Sequence, residues 1–248
     1  MQPDKSKQLR EVSFRKEPKN VEAESCAIFL SKSLPRSGHH FLVKLLRAYF
    51  GQQFAYCEFY VPRNCCKKMP CSQPFNKARS NRYFLQKSHD FDLSDPVDPA
   101  QRYFVEYRHP IPRIQSNFEL ALKNGARNDC PEDFWSFAEK EIDYQIGFYW
   151  KWIHDPLPGA LLLPYERLRD ATRAELTRIL LFMTGDKVDA DKVESSIDCT
   201  RGINVHSKSA FQVRNPWHHR FFDASLARAA EQRVFEECPR LDIPRIFD

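Results

Sequence analysis

Short, unbroken apolar runs recur along the chain, and most are followed by segments whose apolar positions repeat at helical spacing. Cys26 to Leu30 is the first run, Tyr83 to Lys87 and Tyr103 to Tyr107 follow, and Ala160 to Pro164 is the fourth. Runs of this length without polar alternation predict strands covered on both faces, as in a parallel sheet. After the first run a Ser-Leu-Pro-Arg-Ser-Gly turn leads into His39 to Phe50. There Phe41, Leu42, Leu45, Leu46 and Tyr49 share one helical face, and Gly51 ends the helix. Pro112 opens a helix that reaches about Lys123, with Gly125 just beyond. Pro131 to about Ile153 and Ala171 to Met183 are two more, the latter with Asp170 as candidate N-cap and Gly185 past its end. A last helix is expected from about Asp223 to Glu237. Strands alternating with helices predict an α/β fold, a single domain with a central parallel sheet flanked by helices.

Three segments stand outside this alternation. Residues 1 to 20 are polar and basic and read as a flexible tail before a domain spanning 21 to 248. Gly51 to Asn81 is rich in Cys, Pro and Lys/Arg and reads as a basic insertion rather than a core element. Thr200 to Trp217 is polar and Pro-marked. The aromatic helix could be mistaken for a base-stacking surface, but Phe134, Phe137, Ala138, Phe148 and Trp152 fall at core spacing.

Composition narrows the class. The 248 residues suit one α/β domain, and 42% hydrophobic content with 20 Phe and only 7 Gly excludes disordered and collagen-like chains. No apolar run approaches the roughly 18 residues of a membrane span, and the start has no apolar signal core, so a cytoplasmic protein without a transmembrane segment is expected. The net charge of +5 is local: Met1 to Asn20 carries +3, Val61 to Lys87 carries +7, and the remainder is net −5. A mildly acidic body argues against nucleic acid as partner, and the basic segment reads as an approach to one anion site or to an acidic acceptor. Cys57, Cys65, Cys66 and Cys71 cluster without a paired C-x-x-C or a His at finger spacing, so no metal is expected. Reduced thiols are the default, with disulfides in this segment left open.

The strongest chemical signal is the turn Ser33 to His40. A strand-to-helix turn aims free backbone N–H groups and the positive end of a helix dipole at one point, which makes an anion site. Gly38 permits close approach of the backbone, and Arg36 can fork onto phosphate oxygens. The Lys-Ser/Thr pair of a Walker A loop is absent. Pro35-Arg36-Ser37-Gly38-His39-His40-Phe41 resembles the 5′-phosphosulfate loop of sulfotransferases, with two His in place of hydroxyls and Phe41 in place of the adenine-stacking Trp. Three further segments resemble that family in the same order. Lys87-Ser88-His89 is similar to its Lys-Thr-His, Arg108-His109-Pro110 with Ser116 to its 3′-phosphate segment, and Pro164-Tyr165-Glu166-Arg167-Leu168 to its Tyr-Glu-Asp-Leu box.

The resemblance implies a P-loop NTPase-like sulfotransferase architecture, 3′-phosphoadenosine 5′-phosphosulfate (PAPS) as sulfuryl donor, and a hydroxyl acceptor that is a carbohydrate or other small molecule. It implies catalytic roles for His89 as base and for Lys87 and Arg36 as cations on the transferring group. It assigns donor binding to Arg36, Ser37, Gly38, His39, His40, Phe41, Arg108, Ser116 and Tyr165. Arg214 is the choice for a further 3′-phosphate contact, with Lys208 and Arg201-Gly202 as rivals. A P-loop kinase or other phosphotransferase and a non-catalytic polyanion-binding module are the competing readings. Oligomeric state stays open, a homodimer included. The acceptor would be set by Gly51 to Asn81, Asp90 to Asp98 and the C-terminal segment.

Overall fold

The computed structural model describes residues 26–59, 68–71, 82–186, 188–201 and 219–247. The basic tail, Cys65, Cys66, Lys208 and Arg214 lie outside them. The chain order is β1 (Ala27–Ser33), α1 (His39–Phe50), β2 (Phe54–Glu58), β3 (Tyr83–Ser88), β4 (Tyr103–Tyr107), α2 (Pro110–Lys123), α3 (Pro131–Trp152), β5 (Ala160–Pro164), α4 (Tyr165–Asp170), α5 (Thr172–Thr184), α6 (Ala190–Arg201) and α7 (Ala224–Glu237). The five strands form one sheet in the order β2-β3-β1-β4-β5, and every pairing is parallel.

Successive strand residues point to opposite faces, so the sheet separates two cores. Phe29, Leu85 and Phe104 pack with Leu42, Leu45, Leu176, Ile179 and Ile197 of α1, α5 and α6. Leu30, Val105 and Tyr107 pack on the other face with Phe118, Phe148, Trp152 and Val234 of α2, α3 and α7. The aromatic residues of α3 are therefore core, as their spacing predicts, and burying a side chain such as Phe148 contributes about 1.5–3 kcal/mol. Among the described residues no helix is long and apolar enough to cross a membrane.

The structure departs from the sequence pattern in four places. Within the segment read as an insertion, Phe54–Glu58 is an edge strand paired with β3. β1 continues past its apolar run because Ser31 and Ser33 are buried through hydrogen bonds rather than apolar contact. α6 was not anticipated; its buried row of Val193, Ser196, Ile197 and Thr200 is half polar. Asp170 does not cap α5: its carboxylate is held by Arg169, and Ala171 is the N-cap residue.

Candidate active site

At the C-terminal edge of the sheet, where β1 and β3 end and the turns after β4 and β5 begin, a cavity of about 360 Å³ opens. It is lined by Arg36, Ser37, Gly38, His39, His40 and Phe41 from the turn into α1, by Lys87 and His89, by Arg108 and Ser116, and by Tyr165. Every site residue picked from the sequence reaches this one cavity except Arg214, which lies outside the described residues.

The turn into α1 is held in an uncommon backbone form. Arg36 and Gly38 both have left-handed φ, 69° and 86°, which for a non-glycine residue such as Arg36 is uncommon and marks functional loops. A Cβ on Gly38 would lie 2.3 Å from Tyr165 Cδ2, so the position excludes any side chain. The Tyr165 ring is covered from outside by the Arg108 guanidinium, 4.6 Å from its centroid. Arg108 Nη1 donates to the Arg36 carbonyl (3.2 Å), and Arg36 Nε donates to Ser116 Oγ (2.9 Å). Phe41 and Leu42 N–H donate to the Gly38 carbonyl (2.8 and 3.2 Å), which leaves the N–H groups of His39 and His40 at the start of α1 without a preceding carbonyl to bond. Two buried polar atoms, Ser37 Oγ and Arg108 Nε, have no hydrogen-bond partner among the described residues. Burial pushes the Arg108 pKa down, as expected of a cation removed from water without a full counter-charge.

Lys87 and His89 stand on the opposite wall. Lys87 Nζ donates to Glu58 Oε1 at 3.0 Å. His89 Nδ1–H donates to the Ser33 carbonyl at 2.8 Å, which leaves Nε2 as the basic nitrogen of the neutral ring. Burial, and then the Lys87 charge, push His89 down to about 4, so it is neutral at neutral pH. His40 is pushed down to about 4 as well, by burial and then by Lys87 and His39. The His89 backbone is anchored twice. Tyr144 donates its hydroxyl to the His89 carbonyl. Asp90, in left-handed φ (55°), is gripped by Lys32 and Lys151 at 2.9 Å each and by Trp152 Nε1 at 2.7 Å.

No family model matches the sequence, and no curated protein does. Solved structures do match. Mouse sulfotransferase SULT7A1 complexed with PAP aligns at a TM-score of 0.61 and 16% identity, over 88% of this chain and 86% of that one. Retinol dehydratase in a complex with retinol and PAP aligns at 0.55 and 16% identity, over 91% and 86%. The chain has the sulfotransferase fold.

Within that fold several residues matter to which the sequence alone assigned no role. Glu166 accepts the His109 N–H at 3.0 Å, and Gln145 donates to the Arg108 carbonyl at 3.1 Å, so the turn that presents Arg108 is fixed from two sides. Glu106 is buried among apolar strand residues and takes hydrogen bonds from Ser31 Oγ (2.6 Å) and His39 Nδ1 (2.8 Å). Burial opposes its ionisation, but the His39 ring and these hydrogen bonds outweigh burial and hold its pKa below the usual carboxylate range. Its signal was a lone Glu inside the run Tyr103 to Tyr107. Glu58 was hidden in the supposed insertion, where no apolar rhythm marks a strand.

Proposed function

We propose that the protein is a sulfotransferase that moves a sulfuryl group from PAPS to a hydroxyl acceptor, a carbohydrate or other small alcohol. The observation that carries the reading is the meeting, in one cavity, of two unsatisfied buried groups, Ser37 Oγ and Arg108 Nε, with Lys87 and a neutral His89. Unsatisfied buried donors at a helix N-terminus fit an anion that brings several acceptor oxygens. The neighbours complexed with PAP, which is PAPS without its sulfuryl group, agree with a bis-anionic nucleotide there.

In this reading Ser37, the first-turn N–H groups of α1 and Arg36 hold the 5′ end of the donor, with His40 in the place of a usual hydroxyl. The His39 ring, expected from the sequence to bind the donor as well, has both nitrogens engaged by Glu106 and Tyr56, so His39 offers only its backbone N–H. Arg108 and Ser116 hold the 3′-phosphate, joined by Arg214, and Phe41 and Tyr165 flank the adenine. PAPS supplies an activated sulfuryl group. Transfer is expected to be loose, by analogy with phosphoryl transfer, so charge grows on the leaving phosphate oxygen, where Arg36 and Lys87 neutralise it. His89 Nε2 accepts the acceptor hydroxyl proton. Lys87 is one of the charges that depress His89, so a donor anion engaging Lys87 raises the basicity of His89 when the base is needed.

The test is calorimetric titration of the full chain with PAP and with ATP plus Mg²⁺, followed by a screen of phenols, sterols, sugars and lipids with labelled PAPS. Binding of PAP and labelled product are expected, and His89→Ala should keep PAP affinity while losing about 10²- to 10⁴-fold in transfer rate. Binding of ATP with Mg²⁺ and not of PAP would replace this reading with a kinase.

A further inference from the structure

Two carboxylates, Glu58 and Glu106, sit beside a cavity suited to anions, where each should weaken donor binding. Glu106 is compensated: both its oxygens lie within 3.0 Å of His39 Nδ1, which therefore donates. The other nitrogen of that ring, Nε2, lies 3.1 Å from the Tyr56 hydroxyl. Tyr56 in turn donates a hydrogen bond to Glu58. Glu58 ends the chain on Lys87, its directly opposed partner in the β2–β3 pairing, with Nζ at 3.0 Å. Four hydrogen bonds thus connect β4 to Lys87 on β3 by way of the first residue of α1 and the edge strand β2.

Glu106 is engaged by the His39 ring, whereas Glu58 is engaged by the Lys87 ammonium, the group that a donor needs. Burial works against ionisation of Glu58, and the Lys87 charge and hydrogen bond outweigh it, holding its pKa below the usual range.

We infer that β2 belongs to the reaction machinery: Tyr56 and Glu58, anchored to Glu106 through His39, are positioning residues that hold the Lys87 ammonium before the donor binds and yield it to the donor. The inference rests on the sulfotransferase reading above. The Tyr56 hydrogen bond tempers the carboxylate so that its grip on Lys87 can be broken. Without that hydrogen bond Glu58 competes harder for Lys87, and without the carboxylate Lys87 is open to the donor but no longer placed.

The test is PAP affinity by calorimetry for the full chain and its Glu58→Gln, Tyr56→Phe, Lys87→Ala, Glu58→Gln/Lys87→Ala and Tyr56→Phe/Glu58→Gln variants, each checked for folding by thermal unfolding. Glu58→Gln is expected to bind PAP about fivefold more tightly, the size of one partly screened ion pair, and this gain should fall below about twofold when Lys87 is absent. Tyr56→Phe should weaken PAP binding about two- to fivefold, and not at all once Glu58 is Gln, because residues acting as one unit are non-additive. Glu58→Asp, which keeps the charge, should return toward the parent. A merely structural β2 cannot tighten binding, nor make the gain depend on Lys87. Unchanged or weaker PAP binding in Glu58→Gln, or a gain that persists undiminished in Lys87→Ala, overturns the inference alone. If the parent chain itself does not bind PAP, the sulfotransferase reading falls and takes this inference with it.

Discussion

Replacing Asp90 by Ala tests whether the clamp behind His89 is as strong as its geometry implies. The carboxylate side chain is 1% exposed, and its two lysine partners are only 11% and 12% exposed. Removing it strands two largely desolvated ammonium groups and leaves Trp152 Nε1 without its 2.7 Å acceptor. Breaking a buried pair by deleting one partner costs about 3–5 kcal/mol, a large share of the roughly 5–15 kcal/mol that keeps a domain folded. Left-handed φ at position 90 adds about 1 kcal/mol for Ala over Asp. The total of about 4–6 kcal/mol should lower the melting temperature of a chain of this length by about 8–24 °C. Asp90→Asn keeps an acceptor for Trp152 and tolerates the left-handed backbone, so it should lose about half as much. Thermal unfolding of the three proteins at neutral pH and moderate salt decides the matter. A drop under about 3 °C for Asp90→Ala, or identical melting of the two variants, would refute the reasoning, because it would mean that water already satisfies the lysines.

Two further outcomes are expected. His89 at about 4 lies below its unfolded value near 6.5, so above about pH 6.5 it is neutral in both states and does not affect stability. As pH falls from about 6.5 to 4 only the unfolded chain takes up the proton, so His89 withdraws up to about 3 kcal/mol of stability across that window, with His40 acting in the same direction. Urea unfolding of the parent and His89→Gln at pH about 7 and about 4.5 measures this, and an equal pH response in both would sink it. Gly38→Ala forces a methyl group into the Tyr165 ring and adds about 1–2 kcal/mol of left-handed strain, so PAP affinity should fall by about tenfold or more. Calorimetry showing affinity within about twofold of the parent would mean that the Tyr165 ring can retreat at no cost.

The sheet and the anion turn were legible because both rest on local rules. Four apolar runs announced four strands, and the turn from Ser33 to His40 announced a helix N-terminus beside a cation. What stayed hidden depends on contacts between distant residues. Ser31 and Ser33 look like the end of a strand until Glu106 and His89 are seen to bond them. β2 is an edge strand whose residues after Phe54 are only half-buried, so it carries no continuous apolar run. α6 turns a row of Val, Ser, Ile and Thr inward, which dilutes the helical signal. Glu58 gains meaning only from its alignment against β3, since nothing near it in the chain names Lys87 as its partner.

Among the described strands β1 is synthesised first, yet its sheet neighbours come much later, β3 from Tyr83 and β4 from Tyr103. On a ribosome adding about 5–20 residues per second, β1 emerges with both edges bare. The Tyr165 ring that closes over Gly38 is made later still. A nascent chain therefore lacks the complete cavity until residue 165 has cleared the exit tunnel, and a product truncated before that point never forms it. Under the proposed function, donor binding would stabilise finished molecules of this protein, but it could not guide their early folding.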